Sequence, residues 1–370
     1  MRKRKMKNLG TAGYKLLTPG PLTTTETVKE VMLFDHCTWD DDYKEITQKI
    51  RRDLLKLAQV EETEYTTVLM QGSGSFGVES VLGSVVPKDG CVLLLSNGAY
   101  GERAAKMCSY YEIPCIHVKQ DYNKTPDANE AEELLKTHPE ITHIMMIHSE
   151  TTSGILNDIE SIGKLAEAYG KVFIVDAMSS FAGVEIPVKD WYIDFLISSA
   201  NKCIQGVPGF SFIIANRVLL MESKGRARSL CLDLYDQWAG MEKDGKWRYT
   251  SPTHVVLAFE QAMKELEQEG GIKARHARYQ KNMDTLVENF ENLGFRLYVD
   301  KAWQGPIIAT FLYPEGKHFD FQEMYAYIKE RGYAIYPGKL TDADTFRIGV
   351  IGEIYEEDVL RLTEIMKSDR

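Results

Sequence analysis

The sequence predicts an α/β protein: a large domain on a mainly parallel, seven-stranded sheet between helices, with a smaller α/β domain closing the chain. Three observations predict it. Short apolar runs alternate with helical patterns from about residue 65 to 220, as strands joined by crossover helices do. The runs VLM, VLLL, IMMI, VFIV and FLI lack polar alternation, as burial on both faces of a sheet requires. After Arg217 long amphipathic patterns take over, and strand-like segments return only later.

In chain order, the basic start Met1-Arg-Lys-Arg-Lys-Met-Lys7 is followed by no apolar stretch. It reads as a solvated, flexible arm over residues 1–15 rather than a secretory signal. The large domain is expected over 16–260, with strands at Thr66–Gln71, Cys91–Ser96, Pro114–Val118, His143–His148, Val172–Asp176, Asp194–Ser198 and Phe210–Ala215. Helix-like segments lie between several of them, at Tyr100–Tyr111, Glu132–Thr137 and Ile159–Tyr169. Amphipathic helices follow at Thr253–Glu269 and Gly271–Leu293, separated by the Gly270-Gly271 pair. The small domain, 261–370, adds strands at Phe295–Val299, Pro306–Leu312 and Thr345–Ile351 and helices at Phe321–Arg331 and Glu356–Lys367.

Composition removes several function classes. The 44 Lys+Arg against 54 Asp+Glu give a net charge of −10, so the overall basic field that nucleic acid needs is absent. No apolar run approaches the ~18 residues of a spanning helix. Six cysteines (Cys37, Cys91, Cys108, Cys115, Cys203, Cys231) form no CxxC pair, which points to free thiols in a reducing cytoplasm and away from a zinc ribbon. His148-Ser-Glu150 resembles the HxE half of a zinc-deaminase motif. Its PCxxC partner is missing, because Pro114-Cys115 runs into Ile116, His117 and Val118, so no metal is expected.

Three positions carry chemistry. Gly72-Ser-Gly-Ser-Phe-Gly77, between a strand and a helix, matches G-x-G-x-x-G. A dinucleotide site would need a carboxylate at the end of the next strand, and that strand ends at Ser96-Asn97. What remains is a glycine- and serine-rich loop at a helix N-terminus, able to cradle a phosphate. Taken alone, such a loop is equally a tight strand–helix turn. Asp176 ends the buried run Lys171-Val-Phe-Ile-Val-Asp176, at the strand tip where parallel sheets bind ligands. Lys202 follows the apolar run Phe195-Leu-Ile-Ser-Ser-Ala-Asn, where an amine can act as a Schiff-base nucleophile. Separately these are a helix cap and a solvated lysine. Together they supply a phosphate anchor, a partner for a pyridinium nitrogen and an aldimine lysine, the three needs of pyridoxal phosphate.

At this point the chain resembles the class V, fold-type I pyridoxal-phosphate aminotransferases, and within them the branch acting on 2-aminoethylphosphonate and pyruvate. The segments that carry the resemblance are LLTPGPLTTT from Leu16, VDAMSSF from Val175, NKCIQGVPGF from Asn201 and Arg347-Ile-Gly349, so it spans nearly the whole chain. It implies that Lys202 forms the internal aldimine and Asp176 binds the pyridine nitrogen. It places Ser73, Gly74 and Ser75 at the phosphate and Thr152 near the phenolic oxygen. Tyr100 takes the position of the ring-stacking aromatic, where cysteine desulfurases present a histidine. Thr250 matches a threonine that reaches the phosphate of the neighbouring subunit, which implies a homodimer; by itself it also suits a helix start. Arg347, with Pro19 and Gly20 in the segment 16–45, falls on the substrate side, and its guanidinium fork suits a carboxylate or a phosphonate.

Two stretches depart from the family pattern. Ser251 stands where a second proline is expected, and Asp35-His-Cys-Thr-Trp-Asp-Asp-Asp-Tyr43 replaces an arginine- and glutamate-bearing stretch near the substrate entrance. The implied reaction converts 2-aminoethylphosphonate and pyruvate to phosphonoacetaldehyde and L-alanine, and the same residues serve either direction. The alternatives are another class V transaminase (alanine–glyoxylate or serine–pyruvate), a nicotinamide-dependent oxidoreductase using the glycine loop, and a binding protein on the same scaffold.

Overall fold

The computed structural model describes residues 13–314, 319–338, 340 and 343–368 of the chain. Most of the expected arm, residues 1–12, lies outside them; Lys15, at its end, already pairs in parallel with Tyr333.

Seven strands form the large sheet: β1 (Tyr65–Gln71), β2 (Cys91–Ser96), β3 (Cys115–Lys119), β4 (Ile141–Ile147), β5 (Val172–Asp176), β6 (Phe195–Ser199) and β7 (Phe210–Asn216). Their order is β1-β7-β6-β5-β4-β2-β3. Only β7 runs against its neighbours, pairing antiparallel with β1 and β6, so the sheet is mainly parallel as expected. Alternate residues along each strand enter opposite cores. Leu93, Leu95, Ile144, Met146, Phe173 and Val175 face one, and Val92, Leu94, Met145, Ile147 and Ile174 face the other. This two-sided burial is why the strands read as continuous apolar runs.

Helices cover both faces. On the first lie α1 (Asp41–Leu57), α4 (Ala128–Thr137), α5 (Ile159–Ala168) and α7 (Thr253–Glu269), and on the second α2 (Gly74–Val85) and α3 (Ala99–Tyr110). Helix α6 (Leu234–Asp244), which periodicity did not reveal, is capped by Asp233, whose carboxylate accepts from the Asp236 amide. Helix α4 starts four residues before its expected position, because Asp127 accepts from the Asn129 amide and caps it.

The C-terminal sheet comprises β8 (Arg296–Leu297), β9 (Ile308–Leu312), β10 (Tyr336–Pro337) and β11 (Thr345–Gly349), all antiparallel. Strand β8 is shorter than the expected Phe295–Val299, since Asp300 turns the chain by accepting from the Ala302 amide. Helices α8 (Gly271–Asn292), α9 (Phe321–Glu330) and α10 (Glu356–Ser368) surround a separate core containing Phe290, Phe311 and Phe346. Helix α7 continues without a break through residue 260 and buries Phe259, Ala262 and Leu266 in the large core. The passage from one core to the next falls on α8, between Tyr279 and Met283.

Candidate active site

A cavity of about 210 Å³ opens at the carboxyl ends of β5 and β6, lined by Asp176, Lys202, Ser73, Gly74, Ser75 and Tyr100 among others. The parallel order of β5 and β6 brings Asp176 and the loop after Ser199 to the same edge. Strand β1 delivers the glycine loop to that edge from the far side of β7. Lys202 donates from Nζ to the Pro19 carbonyl at 2.8 Å and to the Gly20 carbonyl at 3.3 Å. Gly20 has φ +112°, and a Cβ there would sit 2.7 Å from Lys202 Cδ, so only glycine lets the N-terminal segment cross the lysine.

Asp176 is almost wholly buried, and burial pushes its carboxyl up to about 6. The Met178 amide, donating to Oδ1 at 2.9 Å, opposes this, while the charge of Glu150 adds to it. A cation brought beside Asp176 would favour its charged form. At the other end of the cavity, Ser73 begins α2 without capping it, leaving the first-turn amides of Gly74 and Ser75 for a ligand. A Cβ on Gly74 would strike Met178 Sδ at 2.3 Å, so the backbone itself forms that wall.

Thr152 is fully buried; its Oγ1 accepts from the Ala99 amide at 3.2 Å and its own amide donates to Glu150 Oε1 at 2.9 Å. It thereby ties the hairpin after β4 to the start of α3, where Tyr100 stands. Other lining residues were not singled out from the sequence, among them Arg103, Met178 and Asn201. A signal existed for Arg103, because the i, i+3 spacing Tyr100-Gly-Glu-Arg103 places both side chains on one helix face.

Arg347 comes from the other sheet. It lies in β11 between Thr310 and Tyr336, 2% exposed, and donates from Nε to the Pro337 carbonyl at 3.0 Å and from Nη1 to the Thr151 carbonyl at 2.8 Å. Burial pulls its guanidinium below the usual arginine value, while the charge of Glu150 and the nearby Tyr100 and Tyr336 hydroxyls work to hold the proton. Arg347 thus neighbours the cavity through Tyr100, a lining residue that acts on its charge, but is not itself part of the lining. Strand β11 also fixes the segment over Lys202, since the Gly349 amide donates to the Leu17 carbonyl at 2.9 Å.

Thr250 is exposed and stands apart from the cavity, its carbonyl accepting from the Gln71 side chain. The hydroxyls of Tyr43, at the end of the Asp35–Tyr43 stretch, and of Ser251, next to Thr250, share a buried hydrogen bond of 2.6 Å. His148 is paired with the Ser180 hydroxyl at 2.9 Å, and burial pushes its imidazole down to about 3. Among the described residues no three His, Cys, Asp or Glu side chains converge as metal ligands, and no helix is long and apolar enough to cross a membrane.

Comparison with known proteins agrees with this geometry. The chain is 56% identical over 352 residues to a 2-aminoethylphosphonate–pyruvate transaminase of Bacillus cytotoxicus, covering 95% of this chain and 96% of that one. It is 55% identical over 357 residues to the corresponding protein of Lysinibacillus sphaericus, covering 96% and 97%. Among solved structures, an alanine–glyoxylate aminotransferase of a Nostoc species shares the fold with a TM-score of 0.90 at 23% identity, covering 98% of this chain and 97% of that one. The model of the aminotransferase class-V family matches residues 36–361. With an amine, a carboxylate and an anion cradle meeting at one sheet edge inside that match, the chain belongs to the class-V aminotransferases.

Proposed function

We propose that the protein is a pyridoxal-phosphate enzyme that transfers the amino group of 2-aminoethylphosphonate to pyruvate, giving phosphonoacetaldehyde and L-alanine. The observation that carries this reading is the single cavity in which Lys202, Asp176 and the Ser73–Ser75 loop meet. The donor set suits the cofactor: a first-turn amide cradle for the phosphate, a buried carboxylate for a cationic ring nitrogen, and a primary amine. When bound, pyridoxal phosphate supplies an aldehyde carbon and an electron-accepting ring.

The side chains then have distinct tasks. Ser73, Gly74 and Ser75 hold the phosphate, Tyr100 covers one ring face, and Thr152 anchors the hairpin beside it. Asp176, once paired with a cation, stays charged and keeps the ring nitrogen protonated. Lys202 Nζ takes the proton from the amine-bearing carbon of the donor and returns it to the acceptor's. Arg347 grips the phosphonate of the donor and the carboxylate of pyruvate in turn, so one cation serves both half-reactions. Pro19 and Gly20, which hold Lys202 by their carbonyls, bound the substrate side.

The functional unit in this reading is a cytoplasmic homodimer in which Thr250 reaches the partner's cofactor phosphate. The segment 33–39 supports it: Leu33, Phe34 and Trp39 are 79%, 66% and 69% exposed, and the segment borders the Thr250 loop, with Lys246 over the Trp39 ring and His254 beside Asp35. A panel of amino donors assayed with pyruvate tests the substrate assignment. 2-Aminoethylphosphonate is expected to be the best donor; a preference for serine, or for alanine with glyoxylate, would move the protein to a neighbouring transaminase.

A further inference from the structure

The anion cradle is short of positive charge. A phosphate monoester carries about −1.5 to −2 at neutral pH, whereas the N-terminus of a helix offers the equivalent of roughly +0.5. The cavity is lined by two cationic side chains, Lys202 and Arg103. Lys202 is held at the other segment, by the carbonyls of Pro19 and Gly20. Arg103 faces the cradle instead: its Nη1 donates to Ser75 Oγ at 2.9 Å, and its Cζ lies 5.1 Å from the centre of the Tyr100 ring. Its charge also reaches Asp176, pulling that carboxyl down against the effect of burial. The guanidinium plane is therefore steadied on one side by an aromatic ring and on the other by a cradle hydroxyl. That is the preorganised fork that suits a phosphate.

We propose that Arg103 is a phosphate-binding residue of the cofactor site, its guanidinium completing the cradle of Ser73, Gly74 and Ser75. This rests on the pyridoxal-phosphate reading above. Arg103 thereby joins two tasks. It supplies the charge that the helix end lacks, and it fixes the Tyr100 ring that covers the cofactor, because both sit one helical turn apart on the same face of α3.

The experiment compares two probes on the cofactor-free protein: pyridoxal phosphate, and pyridoxal, which lacks the phosphate. Binding is followed by protein fluorescence and by the visible absorption of the bound ring. Arg103→Gln should weaken pyridoxal phosphate binding about tenfold to a hundredfold, as the loss of a charged hydrogen-bond pair implies, and pyridoxal binding by a clearly smaller factor, which reads the support of the Tyr100 ring alone. Arg103→Lys should recover part of the loss, since an ammonium keeps the charge without the fork. Equal losses for both probes, or no loss for either, would overturn the proposal; equal losses would assign Arg103 to packing alone. Should Arg103→Gln not fold, Arg103→Lys decides by the same ratio: a reduced preference for the phosphorylated probe supports the proposal, and an unchanged preference overturns it. Wild-type protein that takes up neither probe refutes the cofactor reading itself, a result distinct from a variant-specific change.

Discussion

The two ends of the proposed site are built differently. The cofactor end comes from one sheet: Asp176 from the tip of β5, Lys202 from the loop after β6, and the cradle from the loop after β1. The substrate end comes from two sheets, with Arg347 on β11 joined to the large domain through the Thr151 carbonyl. At the cofactor end side chains point into a cavity, and chemistry depends on their identity. At the substrate end the arginine is almost fully buried, and its direction is set by carbonyls of Pro337 and Thr151. Substitution at the first should abolish the reaction, and substitution at the second should change what is bound.

The largest expected effect is at Lys202. Lys202→Ala removes the proposed proton carrier, and turnover should fall by more than ~10³-fold, since general acid–base catalysis contributes about 10²–10⁴. Cofactor binding should persist without the covalent link, as seen by absorption of the ring. Near-normal transamination would end the contrast by showing that the cofactor end tolerates loss of its amine.

Next comes Arg347→Ala, which should raise KM for donor and acceptor alike by about a hundredfold, with less effect on kcat, because each paired charged hydrogen bond contributes roughly 1.5–3 kcal/mol. Arg347→Lys should restore only part of this. Steady-state kinetics with each substrate varied in turn provide the check. Unchanged KM values would mean that the second sheet closes the site without recognising substrate.

A smaller effect sharpens the cofactor end. The folded Asp176 carboxyl lies near 6, above its ordinary value of about 3.9. In the cofactor-free protein its contribution to stability is therefore fully present below about pH 4 and lost as pH rises through 6. Asn at this position does not titrate. Wild type measured against Asp176→Asn should lose on the order of 2 kcal/mol of relative stability between pH 4 and pH 7. Chemical denaturation at a series of pH values reads this directly; a pH-independent difference would show that Asp176 is already charged in the empty site.

Much of this was legible from residue order because it depends on local pattern. The strand runs announced two-sided burial, and in a parallel sheet consecutive strand ends meet at one edge, so Asp176 and Lys202 could be placed together from their positions after apolar runs. Arg103 was present in a readable i, i+3 pattern with Tyr100, yet the role proposed for it needed Ser75, which belongs to another helix. The ends of β8 and α4 shifted because single aspartates, Asp300 and Asp127, capped backbone amides that periodicity does not register.

The sequence by itself determined the mainly parallel sheet and the identity of the chemical groups at its edge, since strand burial and residue type are written locally. Tertiary structure decided which distant segments touch. The carbonyls of Pro19 and Gly20 reach an amine 183 and 182 residues away, and Arg347 bonds a carbonyl 196 residues before it. It also joined Tyr43 to Ser251, 208 residues apart, in one buried hydrogen bond. Such pairings arise where two separately built sheets and an N-terminal segment pack together. Their free energy depends on complementary shape and desolvation across the whole contact, which no local spacing encodes.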